Sequence, residues 1–265
     1  MSDIMKVGCL QMDMAFGSVD ENYAKAERLI RDAAKKDVDV IVLPETWNTG
    51  FSPKENTNEY CDKNGERTKR VIGGLAKELN VNIVAGSVAN LKGDKIYNTA
   101  YIFDRAGNCI GEYDKTHLFS PMGEDKFFEK GKNICKFTLD GKNCGIIICY
   151  DIRFPELTRK MALGGLDCLF IVSQWPSVRI NHLTTLVKAR AIENQMFTVC
   201  CNSCGRSQEN IYGGSSLIVD PWGNELIKAG DSEEVIDSVL DFSVIGGIRD
   251  SINVFKDRRV DLYEI

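Results

Sequence analysis

Histidine is scarce in this chain, two residues in 265. A Cys–His or Ser–His–Asp catalytic arrangement would therefore have to use His117 or His182, and a zinc site would have to be rich in thiolate. Long apolar runs are missing too. No stretch approaches the roughly 20 apolar residues of a membrane span. The first residues, with Asp3 among them, lack the apolar core of roughly 7–15 residues found in a secretory signal. A cytoplasmic protein with reduced thiols is expected. There is no excess of positive charge: 33 Lys plus Arg against 38 Asp plus Glu give a net charge of -5, which argues against nucleic acid as the main partner. Neither a G-x-G-x-x-G fingerprint nor a P-loop occurs, so no motif favours a nucleotide cofactor. No linker rich in Gly, Ser or Pro divides the chain, and a single domain over residues 1–265 follows.

Cysteine, by contrast, is abundant, with ten residues. An even count raises a disulfide framework, but such frameworks belong to short secreted chains. Here 265 residues, 43% of them hydrophobic, can bury an apolar core. The thiols are then core filler, metal ligands or a nucleophile. The segment Cys200-Cys201-Asn202-Ser203-Cys204 contains a C-x-x-C, yet no second pair accompanies it and no helical pattern follows. Core or pocket-lining thiols are expected there, and no metal.

Short β-rich apolar runs alternate with segments of helical period. Residues 5–12, 38–43, 81–88, 144–149, 168–172, 197–201, 215–220 and 235–240 read as strands, and 97–139 as strand-rich with a turn at 106–108. Ser18-Val19-Asp20-Glu21 has the capping-box pattern, starting a helix with Leu29, Ile30, Ala33 and Ala34 on its inner face. Val71, Leu75 and Leu79 mark a second helix. Pro155 opens a third where a missing N–H costs nothing, and residues 183–194 a fourth. The alternation predicts an α/β domain with one large mixed sheet or two stacked sheets.

Three polar islands end the buried runs: Leu43-Pro44-Glu45-Thr46-Trp47; Tyr113-Asp114-Lys115-Thr116-His117-Leu118-Phe119 with Gly123-Glu124; and Cys149-Tyr150-Asp151-Ile152-Arg153-Phe154-Pro155-Glu156. Ligands of open α/β sheets bind at the carboxyl ends of strands, and a thiol at a helix start feels a partial positive charge that favours the thiolate. Attack of a thiol on a carbonyl needs a base and a receptor for the oxyanion. A carboxylate, an ammonium and the N–H of the residue after the thiol are sufficient without His or metal.

In order and surrounding sequence the islands resemble the Glu–Lys–Cys triad of the nitrilase (carbon–nitrogen hydrolase) superfamily. The resemblance runs from Gln11 to the tail Asp257-Arg258-Arg259-Val260-Asp261-Leu262-Tyr263. It implies a four-layer α-β-β-α sandwich, a thioester intermediate, no cofactor, and a homodimer or larger homo-oligomer. Glu45 would be the general base, Lys115 the oxyanion partner and Cys149 the nucleophile, with Glu124 a second acid that positions substrate or Lys. The segments Gln174-Trp175-Pro176-Ser177-Val178-Arg179 and Lys188 to Gln195 resemble the ω-amidase branch, which hydrolyses amides of 2-oxo acids such as 2-oxoglutaramate or its methylthio relative.

A small acidic substrate also has a chemical reason: Arg153 or Arg179, just past strand ends, can fork a carboxylate. Tyr150 and Trp175 would be pocket walls, Phe119 and Phe154 wall or packing. The rivals are an N-carbamoyl-amino-acid amidohydrolase or a nitrilase on the same triad, and a catalytically silent binding protein of the same fold. Plainer roles compete residue by residue: solvated carboxylate for Glu45, surface cation for Lys115, core thiol for Cys149, structural ion pair for Glu124 and for Arg190 with Glu193. His117 is expected to be a hydrogen-bonded structural residue, and His182 a helix-start or pocket residue.

Overall fold

The computed structural model describes residues 2–51 and 57–263, the side chains of residues 57 and 58 excepted. In chain order the first half contains β1 (Ile4–Gln11), α1 (Val19–Ala34), β2 (Val40–Val42), α2 (Thr57–Tyr60), β3 (Asp62–Lys63), α3 (Glu66–Leu79), β4 (Asn82–Lys92), β5 (Lys95–Phe103) and β6 (Cys109–Asp114). The second half contains β7 (Cys135–Leu139), β8 (Lys142–Ile148), α4 (Pro155–Ala162), β9 (Cys168–Ser173), α5 (Ile180–Asn194), β10 (Phe197–Asn202), β11 (Cys204–Ser207) and β12 (Asn210–Gly213). It ends with β13 (Leu217–Val219), β14 (Glu225–Lys228), β15 (Glu234–Asp241) and α6 (Val244–Ser251).

The strands form two sheets, ordered β15-β1-β2-β4-β5-β6, with β3 beside β4, and β14-β13-β10-β9-β8-β7; β11 and β12 make a separate hairpin. Period-two alternation sorts the side chains. Val40, Val42, Ile146, Ile148, Phe170 and Val172 meet between the sheets. The alternate residues Ile41 and Leu43 pack under α1 and α3, and Ile147, Leu169 and Ile171 under α4 and α5. The result is the four-layer α-β-β-α sandwich, the stacked-sheet form of the α/β expectation.

Direction matters for the site. β1, β2 and β4 are mutually parallel, and two successive antiparallel pairings bring β6 back to the direction of β4. β8, β9 and β10 are likewise parallel. The three polar islands thus follow the carboxyl ends of β2, β6 and β8.

Several local expectations change. α1 starts after Ser18, but the Ser18 side chain makes no cap hydrogen bond. Asn22 instead fixes the segment ahead of the helix, accepting from the Ala15 N–H and donating to the carbonyls of Ala15 and Asn48. The buried stripe of α3 is Thr68, Ile72, Leu75 and Ala76, one position over from Val71. Residues 115–134 hold no strand, only two 3-10 turns, Ser120–Met122 and Glu124–Lys126. The strand predicted through Cys149 stops at Ile148. All ten cysteines are free. Cys200 and Cys201 are buried in β10, and Cys201 donates to the carbonyls of Leu10 and Val42. Among the described residues no group of three or more His, Cys, Asp or Glu could hold a metal ion, and no helix is long and apolar enough to cross a membrane.

Candidate active site

Three turns carry the predicted groups. Past β2, the Pro44 carbonyl accepts from the Ser87 N–H, and the Thr46 N–H donates to Ser87 Oγ. The Glu45 N–H donates to the Ser173 carbonyl of the facing sheet. Lys115, just beyond β6, is held on both sides: its N–H donates to the Asn98 carbonyl and its carbonyl accepts from Gly131. Cys149 opens a 3-10 turn, Cys149–Arg153. Its φ of 45° lies in the left-handed region, unusual for a residue with a Cβ, and such strain persists where surrounding structure enforces it.

Asp151 supplies that enforcement. Fully buried, it accepts from the Ile148 N–H at 3.0 Å, the Tyr113 hydroxyl at 2.8 Å, the Thr116 hydroxyl at 3.0 Å and the His117 N–H at 2.9 Å, and His117 Nδ1 lies 2.8 Å away. The Lys115 loop and the Cys149 turn are tied through this one carboxylate. Arg190, beneath the turn, donates twice to the Ile152 carbonyl and pairs with Glu193 at 2.8 Å, which makes both structural. His117 stacks on Phe154, ring centroids 3.7 Å apart, so Phe154 is packing.

The side chains converge. Lys115 Nζ lies 2.7 Å from Glu45 Oε1 and 2.8 Å from each Glu124 oxygen. All three side chains are 2% exposed, so these charges are paired away from water. The Gln174 N–H donates to Glu45 Oε2 at 2.9 Å, the Phe119 N–H to Glu124 Oε2 at 2.6 Å, and Asn98 Nδ2 to Oε1 of both glutamates at 2.9 and 3.2 Å.

Burial pushes the Glu45 carboxyl above the usual range, against the pull of Lys115 and with help from Glu124. Burial alone would lower the Lys115 ammonium, but Glu124 and Glu45 outweigh it and hold the group charged. The Cys149 thiol lies beside Glu45, and burial followed by that carboxylate raises it well above an ordinary thiol. This corrects the expectation of a helix-favoured thiolate: a five-residue 3-10 turn does not offset desolvation plus an adjacent anion. Burial and the neighbouring Glu45 carboxyl both favour the thiol over the thiolate.

All nine predicted site residues line one cleft. Glu45, Lys115, Glu124 and Cys149 form its floor, and Phe119, Tyr150, Arg153, Trp175 and Arg179 its walls. Arg153 lies over the Trp175 ring at 4.8 Å and contacts His182 Nδ1 at 3.2 Å, while Arg179 lies over Phe119 at 5.4 Å. Trp175 is fixed by hydrogen bonds from its N–H to Asn202 and from Nε1 to the Arg179 carbonyl. Gln11 stands elsewhere, donating to the carbonyls of Gly230 and Ser232 and accepting from the Ser216 N–H. Asn98, Asp151 and Gln174 are polar members of the site to which the sequence assigned no role, and Phe51, Met122 and Pro176 also line the cleft; a polar Asn within an otherwise buried strand was the available signal for the first.

The carbon–nitrogen hydrolase family pattern matches residues 6–250. The chain is 43% identical over 257 residues to a 2-oxoglutaramate amidase of Bacillus subtilis (strain 168), covering 97% of this chain and 98% of that protein. It is 32% identical over 260 residues to omega-amidase NIT2 of Homo sapiens, covering 92% of each. Among solved structures, Saccharomyces cerevisiae Nit3, described as a member of branch 10 of the nitrilase superfamily, matches with a TM-score of 0.85 at 29% identity over 97% of each chain. With this match along nearly its whole length and the α-β-β-α sandwich it folds into, the chain belongs to the carbon–nitrogen hydrolase family and is an enzyme acting on amide C–N bonds.

Proposed function

We propose that this enzyme releases ammonia from a small amide bearing a carboxylate, of the kind named in its Bacillus subtilis relative, 2-oxoglutaramate, through a thioester on Cys149. The observation that carries the mechanism is the convergence of Glu45, Lys115 and Cys149 in one narrow cleft. Glu45 takes the thiol proton as sulfur attacks the amide carbon. The carbonyl oxygen becomes an oxyanion, received by Lys115 and the Tyr150 N–H, which lies in the first turn of its helix and so has no intrahelical acceptor. Lys115 Nζ has three N–H donors and is held by Glu45 and Glu124; in this reading one of the three is given to the oxyanion. Collapse breaks the C–N bond, and Glu45 returns its proton to the departing ammonia. Water, deprotonated by Glu45, then breaks the thioester and frees the acid.

Two arginines on the cleft wall support a carboxylate-bearing substrate, since a guanidinium pairs a carboxylate in bidentate fashion. Ten free thiols fit a reducing, cytoplasmic setting. A homo-oligomer, as the family resemblance implies, belongs to this reading, with exposed apolar side chains such as Ile192 and Trp222 available to a second copy. The test is an ammonia-release panel of 2-oxoglutaramate, its methylthio analogue, simple aliphatic amides, N-carbamoyl amino acids and nitriles. The two 2-oxo-acid amides are expected to have the highest kcat/KM. Reaction with carbamoyl compounds or nitriles alone would overturn the substrate assignment.

A further inference from the structure

The lone pairs of the two buried glutamates can be accounted for one by one. Each carboxylate oxygen offers about two acceptor sites. Glu124 Oε1 receives Lys115 and Asn98, and its Oε2 receives Lys115 and the Phe119 N–H. Among the described residues, Glu45 Oε1 receives Lys115 and Asn98, while its Oε2 receives only the Gln174 N–H. Glu124 is therefore saturated, and the pair keeps one open acceptor site, on Glu45 Oε2. Asn98 is what closes Oε1 on both residues. It is 1% exposed, its Nδ2 supplies two hydrogens to two anions, and its position on β5 is anchored by its own carbonyl, which accepts from the Lys115 N–H.

We propose that Asn98 is a positioning residue of this enzyme: by saturating Oε1 of Glu45 and of Glu124 it directs the thiol proton of Cys149 to Oε2 of Glu45 and sets how readily Glu45 takes it. In that transfer the S–H bond breaks with its electron pair left on sulfur, and an O–H bond forms at Oε2. The inference rests on the assignment of Glu45 as base and is independent of which amide is the substrate. Among the described residues, Lys115 beyond β6, Glu124 in its 3-10 turn and Cys149 in its turn stand beside Glu45, and the charge of Glu45 is also felt by Tyr212 of β12. Lys115 stabilises the Glu45 anion, and Glu124 opposes it. Asn98 is a neutral donor to the anion, so its loss must make Glu45 a stronger base.

The experiment measures the rate of Cys149 alkylation by iodoacetamide against pH, by peptide mass spectrometry, so that no substrate enters the reading. Sulfur displaces iodide, and the thiol proton passes to Glu45 and then to solvent. Wild type, Asn98→Leu, Asn98→Ser and Glu45→Gln are compared, each with its cooperative unfolding measured. In a folded Asn98 variant the acid limb is expected to move upward by about one pH unit, what one hydrogen bond to a charged acceptor is worth. Glu45→Gln is expected to lose the limb. A folded Asn98→Leu or Asn98→Ser protein whose limb stays at the wild-type pH overturns the proposal, even if its overall rate or stability falls. The Ser variant, which makes the smaller change, keeps the test open if Leu does not fold. A limb retained in Glu45→Gln contradicts the underlying assignment of the base instead.

Discussion

Lys115 is bound to the stability of the fold as tightly as to its chemistry. Its ammonium is paired with two carboxylates at 2.7 and 2.8 Å where water does not reach. Removing one partner of such a group leaves charge buried without compensation, which typically costs about 3–5 kcal/mol. Lys115→Met is therefore expected to lower unfolding stability by about that amount in urea denaturation, besides abolishing turnover; a loss near zero would show that the two glutamates do not depend on it. At this scale the sequence was most legible. Glu45, Lys115 and Cys149 stood out because each ends an apolar run on a polar island, and the triad resemblance gave them roles. Asn98 and Asp151 did not stand out, because their importance comes from partners far along the chain: Asn98 meets Glu45 across 53 residues and Asp151 meets Tyr113 across 38.

Elements set the precision of the site, and β4 shows how. A register shift between Val84 and Ser87 opens the strand beside the Pro44–Glu45 turn. Gly86 occupies that opening with φ of +59°, and a Cβ there would stand 2.0 Å from the Pro44 carbonyl oxygen. Gly86→Ala must move the backbone that carries Glu45. A stability loss of at least about 1–3 kcal/mol is expected from the strained φ alone, with a fall in kcat/KM that raising substrate concentration does not recover; wild-type stability and kcat together would refute this reading of the bulge. Long apolar strands and the helices with a clear inner face were legible from period alone. The hairpin β11–β12, the strand β14 and the helix α6 were not, being short and weakly patterned. The capping pattern at Ser18 misled because the Ser18 side chain makes no cap hydrogen bond; Asn22, one turn later, ties Ala15 ahead of the helix instead.

For the whole molecule, the decisive fact is the shared direction of β2, β6 and β8. Two sheets pack on one core with the carboxyl ends of these strands on the same side, so residues 45, 115 and 149 meet without any being near another in sequence. Alternating β and α segments pointed to an α/β domain with one mixed sheet or two stacked ones, and the sandwich came from the family resemblance, because no local pattern tells which strands pair or that one sheet faces the other; those depend on non-local packing. The same meeting of turns from both sheets explains why the cleft is narrow and walled by Trp175 and Phe119. It also leaves one thiol of ten open to the cleft beside a carboxylate, with Cys200 and Cys201 sealed in the core.

The central claim is that the reaction passes through an acyl group on Cys149. Rapid acid quenching of the enzyme during turnover of 2-oxoglutaramate, followed by peptide mass spectrometry, tests it most directly. The predicted result is an acyl increment confined to the peptide containing Cys149, absent from Cys149→Ala, which also releases no ammonia. Ammonia release at the wild-type rate by Cys149→Ala, or an acyl increment on another residue, would contradict it.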